Sequence, residues 1–278
     1  MGSVHSGGAG AGPPVAMTIA GSDPSGGAGI QADLKTFHAF DVYGGAVLTS
    51  LTVQNTTGVR GRRDVDAGFV VAQLAAVQDD LVIAAAKTGM LPTPEVIAAL
   101  AAHLRARPLP ALVVDPVLVA TSGDALATPA TAAALRALLP LATLVTPNLP
   151  EAAALTGRRV DDLPAMRDAG RALRDLGAAA VLVKGGHLPG RAVDVLATAT
   201  GVVELDAPRV GAALTHGTGC SLSAAIAAGL AQGRTLEDAA VRAKRWLGRA
   251  LAAAPAVGHG ARPIDHRLRP DDDPSGAG

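Results

Sequence analysis

The stretch Val15-Ala-Met-Thr-Ile-Ala20-Gly-Ser-Asp-Pro-Ser-Gly-Gly-Ala-Gly29-Ile-Gln-Ala-Asp-Leu-Lys-Thr-Phe37 contains the unit from which the fold is read. Val15 to Ala20 is an apolar run of strand length, and Ile30, Leu34 and Phe37 share one face of a helix running from Ile30 to Phe40. Glycines in the Gly21–Gly29 loop permit positive φ and close backbone approach, and a helix start offers free amides to an anion or polar ligand. It is no Walker loop, because Gly-Lys-Ser/Thr is absent, and it matches the dinucleotide pattern only loosely. On spacing alone, a tight turn and a ligand loop are equally good readings.

The same alternation continues along the chain. Ala46 to Val53 is strand-like, Asp66 caps a helix through Val77, and Val82 to Ala86 is a short strand. Thr93-Pro94 and Thr128-Pro129 mark helix starts, each leading to a strand, at Ala111–Val114 and Thr143–Val145. A helix over Leu163–Leu176, a strand over Ala180–Val183 and a hairpin of Ala192–Ala197 with Val202–Leu205 follow. Two helices, from about Thr218 to Ala231 and from Leu236 to Ala253, complete the pattern. Such alternation implies right-handed crossovers and a three-layer α/β/α fold around a mostly parallel sheet. The glycine-rich and polar motifs fall at strand carboxyl ends, where ligands gather in these folds. We expect one domain over residues 15–268, with disordered tails at 1–14 and 269–278, whose small and polar residues offer little apolar surface.

Composition narrows the partners. The 278 residues carry 24 Lys+Arg against 24 Asp+Glu, and 49% are hydrophobic, but only five are aromatic. Zero net charge gives no electrostatic case for nucleic acid or an anionic membrane, and base-stacking platforms need aromatic faces. No basic-then-apolar leader and no stretch of about 20 apolar residues are present, so a cytoplasmic protein is expected. Only Lys35, Lys87, Lys184 and Lys244 are lysines, and Cys220 is the single cysteine.

Thr215-His-Gly-Thr-Gly-Cys-Ser221 runs into the apolar helix Leu222–Leu230. Two glycines around one threonine leave several amides unpaired along the helix dipole, a pocket for the charge on a transferring phosphoryl group. Cys220 lies in the first turn, where a helix start lowers a thiol pKa toward partial thiolate; a lone cysteine is otherwise a small buried hydrophobe. Asp115 in Val-Val-Asp-Pro-Val, and Asn148 with Glu151 in Thr-Pro-Asn-Leu-Pro-Glu, could serve a magnesium ion that bridges nucleotide phosphates, often through water. Taken alone, Asn148 is better read as a helix cap and Glu151 as a first-turn charge. Lys184 in Val-Lys-Gly-Gly-His could meet a phosphate or be solvated.

Together, Thr18-Ile-Ala-Gly-Ser-Asp-Pro-Ser-Gly-Gly-Ala-Gly-Ile-Gln-Ala-Asp-Leu-Lys-Thr36, Gln54-Asn-Thr, Lys87-Thr-Gly-Met-Leu91, Asp115-Pro-Val, Ser122-Gly-Asp124, Thr146-Pro-Asn-Leu-Pro-Glu-Ala-Ala, Lys184-Gly-Gly-His187 and His216-Gly-Thr-Gly-Cys220 resemble the hydroxymethylpyrimidine/phosphomethylpyrimidine kinases of thiamine biosynthesis. These are ribokinase-like enzymes close to pyridoxal kinases, and the resemblance runs from about Met17 to His266. It implies ATP- and Mg2+-dependent phosphorylation of 4-amino-5-hydroxymethyl-2-methylpyrimidine and then of its monophosphate, by a homodimer. Gln54, Asp23, Met90 and Val117 would form the pyrimidine pocket; a carboxamide suits an aminopyrimidine edge as it suits adenine. Gly217, Thr218 and Gly219 would form the anion hole and Cys220 the base, where most ribokinase-like enzymes carry aspartate. Lys184, Asn148, Glu151 and Thr218 would meet ATP, and Asp115 with Glu151 the metal. Lys35 or Lys87 is expected to help hold the phosphate of the second substrate. A pyridoxal or pyridoxine kinase is the alternative on this scaffold, and a non-catalytic ligand-binding regulator is a third reading.

Overall fold

The structure is a computed structural model that describes residues 12–118, 128–186, 188, 190–210 and 215–272. Ser122–Asp124 and His187, singled out in the sequence, lie outside the described residues. The elements run β1 (Val15–Gly21), α1 (Gly29–Ala39), β2 (Tyr43–Asn55), β3 (Gly58–Asp64), α2 (Ala67–Asp80), β4 (Ile83–Thr88), α3 (Pro94–Ala106), β5 (Leu112–Val114) and α4 (Pro129–Leu135). They continue with β6 (Leu144–Val145), α5 (Leu149–Thr156), α6 (Leu163–Asp175), β7 (Val181–Val183), β8 (Ala192–Ala197), β9 (Val202–Ala207), β10 (Thr215–His216), α7 (Thr218–Ala231), α8 (Leu236–Ala252) and β11 (Arg262–Pro263).

Nine strands form one sheet in the order β3-β2-β1-β4-β5-β6-β7-β8-β9. The pairs from β2 through β7 are parallel, whereas β3, β8 and β9 join antiparallel at the edges. Successive strand residues face opposite ways, and the apolar runs supply both faces at once. Met17, Ile19, Val114, Val145 and Val183 pack with Leu74, Leu100, Leu155 and Leu173, from α2, α3, α5 and α6. Ala16, Val113, Leu144 and Leu182 pack on the other face with Phe37, Ile226 and Trp246, from α1, α7 and α8. This is the expected three-layer α/β/α arrangement. Trp246 is wholly buried, edge-on to Phe40 at 5.2 Å between ring centroids, and donates Nε1–H to Leu268 O.

Strand order reverses around β1: the chain moves to β2 on one side and later to β4 on the other. That switch point opens a crevice at the strand carboxyl ends. Two details depart from the expectation. Residues 58–64 form β3 beside β2, a strand with no apolar signature because Arg60, Arg62 and Arg63 replace the apolar alternation on this exposed edge. Arg269–Asp272, expected as tail, is held in place: Arg269 pairs with Asp41, and Arg242 with Asp271.

Candidate active site

Asp23 organises the loop between β1 and α1. Its Oδ1 accepts from Ser25 N at 2.9 Å and Ser25 Oγ at 2.7 Å, and its Oδ2 from Gly27 N at 3.2 Å and Ala28 N at 2.8 Å. His216 Nε2 lies 3.0 Å from the same Oδ2. Burial pushes the carboxyl up, but the hydrogen bonds from His216 and Ser25 outweigh it and hold Asp23 below the usual carboxylate value. Both oxygens are spent on protein, so Asp23 shapes the expected pocket by fixing its loop. Lys35 Nζ closes the same loop by donating to Gly26 O at 2.7 Å.

Among the described residues, six of the eight α-helices begin with a side-chain cap, from Asp66, Thr93, Thr128, Asn148, Asp162 and Thr235. The other two, α1 and α7, have none. In α7 the first intrahelical bond runs from Ser221 N to Gly217 O, leaving the amides of Thr218, Gly219 and Cys220 outside the helical ladder. Gly217 is left-handed at φ +79, and a Cβ there would stand 1.9 Å from Gly27 O. Only glycine lets the two glycine-rich loops meet.

Gly219 faces the charged part of the site: a Cβ on it would be 3.2 Å from Lys184 Nζ and 3.8 Å from Asp115 Oδ2. Lys184 Nζ donates to Asp115 Oδ1 at 2.8 Å and lies 3.8 Å from Glu151 Oε2. Thr146 Oγ1 donates to Asp115 Oδ1 at 3.1 Å. Burial pushes Asp115 up, yet Lys184 and Lys87 bring it below the ordinary value. For Glu151 burial prevails and, with Asp115 nearby, lifts the carboxyl to about 7 against the pull of Lys184. Burial alone would lower the Lys184 ammonium; Asp115 and Glu151 keep it above its usual range. Asn148 and Glu151 form the capping box of α5, with Glu151 N donating to Asn148 Oδ1 at 2.9 Å and Asn148 N to Glu151 Oε2 at 2.8 Å. Asn148 thus caps α5 through its Oδ1.

Two expectations are corrected. Lys87 is not free to meet a phosphate: it lies within β4, fully buried, 3.0 Å from Asp33 Oδ2, and Thr18 Oγ1 donates to the same oxygen at 2.6 Å. Cys220 is not poised as a thiolate. It is half-buried at the start of α7, but loss of water pushes its thiol up to about 11, despite the charge of Lys87.

Gln54 near the end of β2 has its Nε2 3.1 Å from His216 Nε2, and its Oε1 3.2 Å from Thr52 Oγ1. Met90, almost wholly buried, covers Gly21 so closely that a Cβ there would be 2.5 Å from its methyl carbon. Val117 is half-buried after β5, its N–H donating to Asp115 O at 2.9 Å. A C-terminal strap joins these parts. Thr56 Oγ1 accepts from His259 N and Gly260 N at 3.3 and 3.2 Å, and β11 pairs with β10 at His216. His216 and Thr52 escaped the sequence reading of the site; His216 stood inside a quoted motif, but nothing in its spacing set it against Gln54.

Residues 23–265 match the phosphomethylpyrimidine kinase family. A hydroxymethylpyrimidine/phosphomethylpyrimidine kinase of Rhizobium meliloti is 52% identical over 258 residues, covering 91% of this chain and 96% of that one. Among solved structures, an ADP complex of Bacillus subtilis pyridoxal kinase superposes with a TM-score of 0.85 at 38% identity, covering 91% and 97% of the two chains. A phosphomethylpyrimidine kinase from Clostridium difficile does so with a TM-score of 0.76 at 40% identity, covering 85% and 98%.

Proposed function

The chain belongs to the phosphomethylpyrimidine kinase family of phosphotransferases, and on that premise we propose that it transfers the γ-phosphoryl group of ATP to 4-amino-5-hydroxymethyl-2-methylpyrimidine and then to the resulting monophosphate, in thiamine biosynthesis. The observation that carries this reading is the uncapped start of α7 beside the Lys184–Asp115 pair. Phosphoryl transfer asks chiefly for positioning and charge stabilisation. The amides of Thr218, Gly219 and Cys220 would meet the equatorial oxygens of the transferring group, and Lys184 the nucleotide phosphates.

Asp115 and Glu151 suit a magnesium ion, because two buried carboxylates share one ammonium and leave negative charge for a further cation. They would hold it, in part through water, and the ion would neutralise phosphate charge. Gln54 reads the aminopyrimidine edge, while Met90 and Val117 supply apolar walls. A thiol near 11 keeps its proton in the resting enzyme, so Cys220 is no base in that state, and the hydroxyl proton would pass late, as the bond to phosphorus forms, to an oxygen of the transferring phosphoryl group. Homodimeric assembly and a cytoplasmic location accompany the family reading; among the described residues no helix is long and apolar enough to cross a membrane.

A coupled ADP-release assay with the pyrimidine alcohol, its monophosphate and pyridoxal as separate acceptors tests the proposal. Turnover of both pyrimidines is expected. The likeness to the Bacillus subtilis pyridoxal kinase favours a second reading. Pyridoxal turnover equal to that of the alcohol, and unchanged in Gln54→Leu, would establish it, since a site built to pair an aminopyrimidine edge rejects ligands that leave it unpaired.

A further inference from the structure

The contacts around Gln54 can be resolved by counting protons. His216 Nε2 lies 3.0 Å from Asp23 Oδ2 and 3.1 Å from the Gln54 carboxamide. Asp23 is held ionised and can only accept, so the imidazole proton must be on Nε2, the atom that faces both Asp23 Oδ2 and the Gln54 carboxamide. That nitrogen then has no lone pair left to accept from an amide N–H. On the other side, Thr52 Oγ1 donates to Ser22 O at 2.8 Å, so its single proton is unavailable to Gln54, 3.2 Å away. Each contact fails if Gln54 faces His216 with Nε2 and Thr52 with Oε1. Each is satisfied if the carboxamide is turned by a half-rotation, an exchange of two nearly isosteric atoms.

We infer that His216 is a positioning residue that locks the Gln54 carboxamide with Oε1 toward His216 and Nε2 toward Thr52, and that this lock aims the hydroxymethyl group of the acceptor at the start of α7. Protons then run in one direction on each side: Gln54 Nε2–H to Thr52 Oγ1 to Ser22 O, and His216 Nε2–H shared between Asp23 and Gln54 Oε1. The free edge of Gln54 offers an acceptor on the His216 side and a donor on the Thr52 side.

An aminopyrimidine paired with that edge places its exocyclic amine at Oε1 and its adjacent ring nitrogen at Nε2. In 4-amino-5-hydroxymethyl-2-methylpyrimidine the hydroxymethyl carbon is bonded to the ring position next to the amine, on the side away from that nitrogen. The reacting hydroxyl therefore extends past His216, toward Gly217–Cys220. The opposite amide orientation would send it toward Thr52 and away from the phosphoryl site. Asp23 acts through His216, which couples the glycine loop of β1 to acceptor orientation, and β11 secures the β10 residue that does this.

The inference rests on the proposed pyrimidine kinase activity, and the test separates the two. The first measurement needs no turnover: in the isotope-labelled wild-type protein, Gln54 side-chain amide protons should show nuclear Overhauser contacts to the Thr52 methyl and none to the His216 ring. The second compares His216→Phe, which removes the donor, with His216→Gln, which returns one near the Nε2 position. His216→Phe should lower kcat/KM on the pyrimidine alcohol about tenfold, the worth of one hydrogen bond, while KM for ATP holds. His216→Gln should recover most of the loss. Strong contacts from the amide protons to His216, a parallel rise in KM for ATP, or failure of His216→Gln to recover overturns the inference. A wild-type enzyme inactive on both pyrimidines would overturn the functional reading instead, whatever orientation the carboxamide shows.

Discussion

At Cys220 two local effects compete. The start of α7 favours a thiolate by a fraction of a kilocalorie to about 1 kcal/mol, but burial there costs the ion more and leaves the thiol near 11. Because only the thiolate is alkylated, the rate with iodoacetamide should climb about tenfold per pH unit from pH 7 past pH 9; a plateau by pH 8 would restore the resting thiolate. The same value ranks the catalytic groups. Gly219→Ala, whose Cβ would press on Lys184 at 3.2 Å, should lower kcat by about 10²-fold or more, and Cys220→Ala by less; steady-state kinetics showing the reverse order would reject it. Glu151 gives a pH signature of its own. Its folded-state value, about 7, stands above the ordinary 4.5, so the folded state binds this proton more tightly than the unfolded chain. The carboxyl therefore lowers stability increasingly from pH 4.5 to about 7, fully above that, and not at all below 4.5. Glu151→Gln, which keeps an oxygen for the Asn148 N–H, should raise Tm at pH 8 while the difference vanishes near pH 4. Magnesium dependence should also weaken in the wild type as pH falls from 8 to 6, because protonation removes a ligand.

Elements show where one sequence suffices and where it does not. Helices α2, α3 and α4 could be read to within a residue or two of their starts, because Asp66, Thr93 and Thr128 advertise caps in their own side chains. The core strands were legible because burial on both faces makes them continuously apolar. Strand β3 was not, since an edge strand carrying arginines looks like a loop until its partner β2 is known. The site divides the same way. Gly217–Gly219, Asp115 and Lys184 announced themselves by motif and do converge, whereas Lys87 was misread because nothing local to β4 reveals that Asp33 of α1 lies across from it. That buried pair yields an element-scale prediction. Lys87→Met leaves an unpaired buried carboxylate at Asp33 and should cost about 3–5 kcal/mol, whereas Lys87→Met with Asp33→Asn should recover much of it. Urea unfolding of the two variants and the wild type checks this; equal losses in the single and double variants would mean that the pair is not a stabilising unit.

Across the whole molecule, the two halves of the proposed acceptor site come from distant parts of the chain. Gln54 projects from the β2–β3 hairpin, His216 stands just before α7, and the segment after α8 returns to bind both. Thr56 O accepts from Ala261 N at 2.9 Å, β11 pairs with β10, and Ser221 Oγ lies 3.0 Å from His266 Nε2. Burial lowers His266 to about 4, so it stays neutral at physiological pH and this tie carries no charge switch. The strap thus sets the spacing between Gln54 and His216, and it does so away from the proposed nucleotide side, where Asp115, Glu151 and Lys184 meet. Gly260 is the point where it touches the hairpin most closely: a Cβ there would stand 1.9 Å from Thr56 O. Gly260→Ala must therefore lift the strap off the turn. Since the hairpin tip is solvent-exposed and few buried contacts are lost, Tm should fall by only a few degrees, about 1 kcal/mol. The acceptor site should suffer more: KM for the pyrimidine alcohol should rise severalfold, with KM for ATP unchanged. Steady-state kinetics varying each substrate in turn decide the matter. Parallel increases in both constants would show that the C-terminal segment supports the domain as a whole, and an unaltered acceptor KM would show that the hairpin holds Gln54 without it.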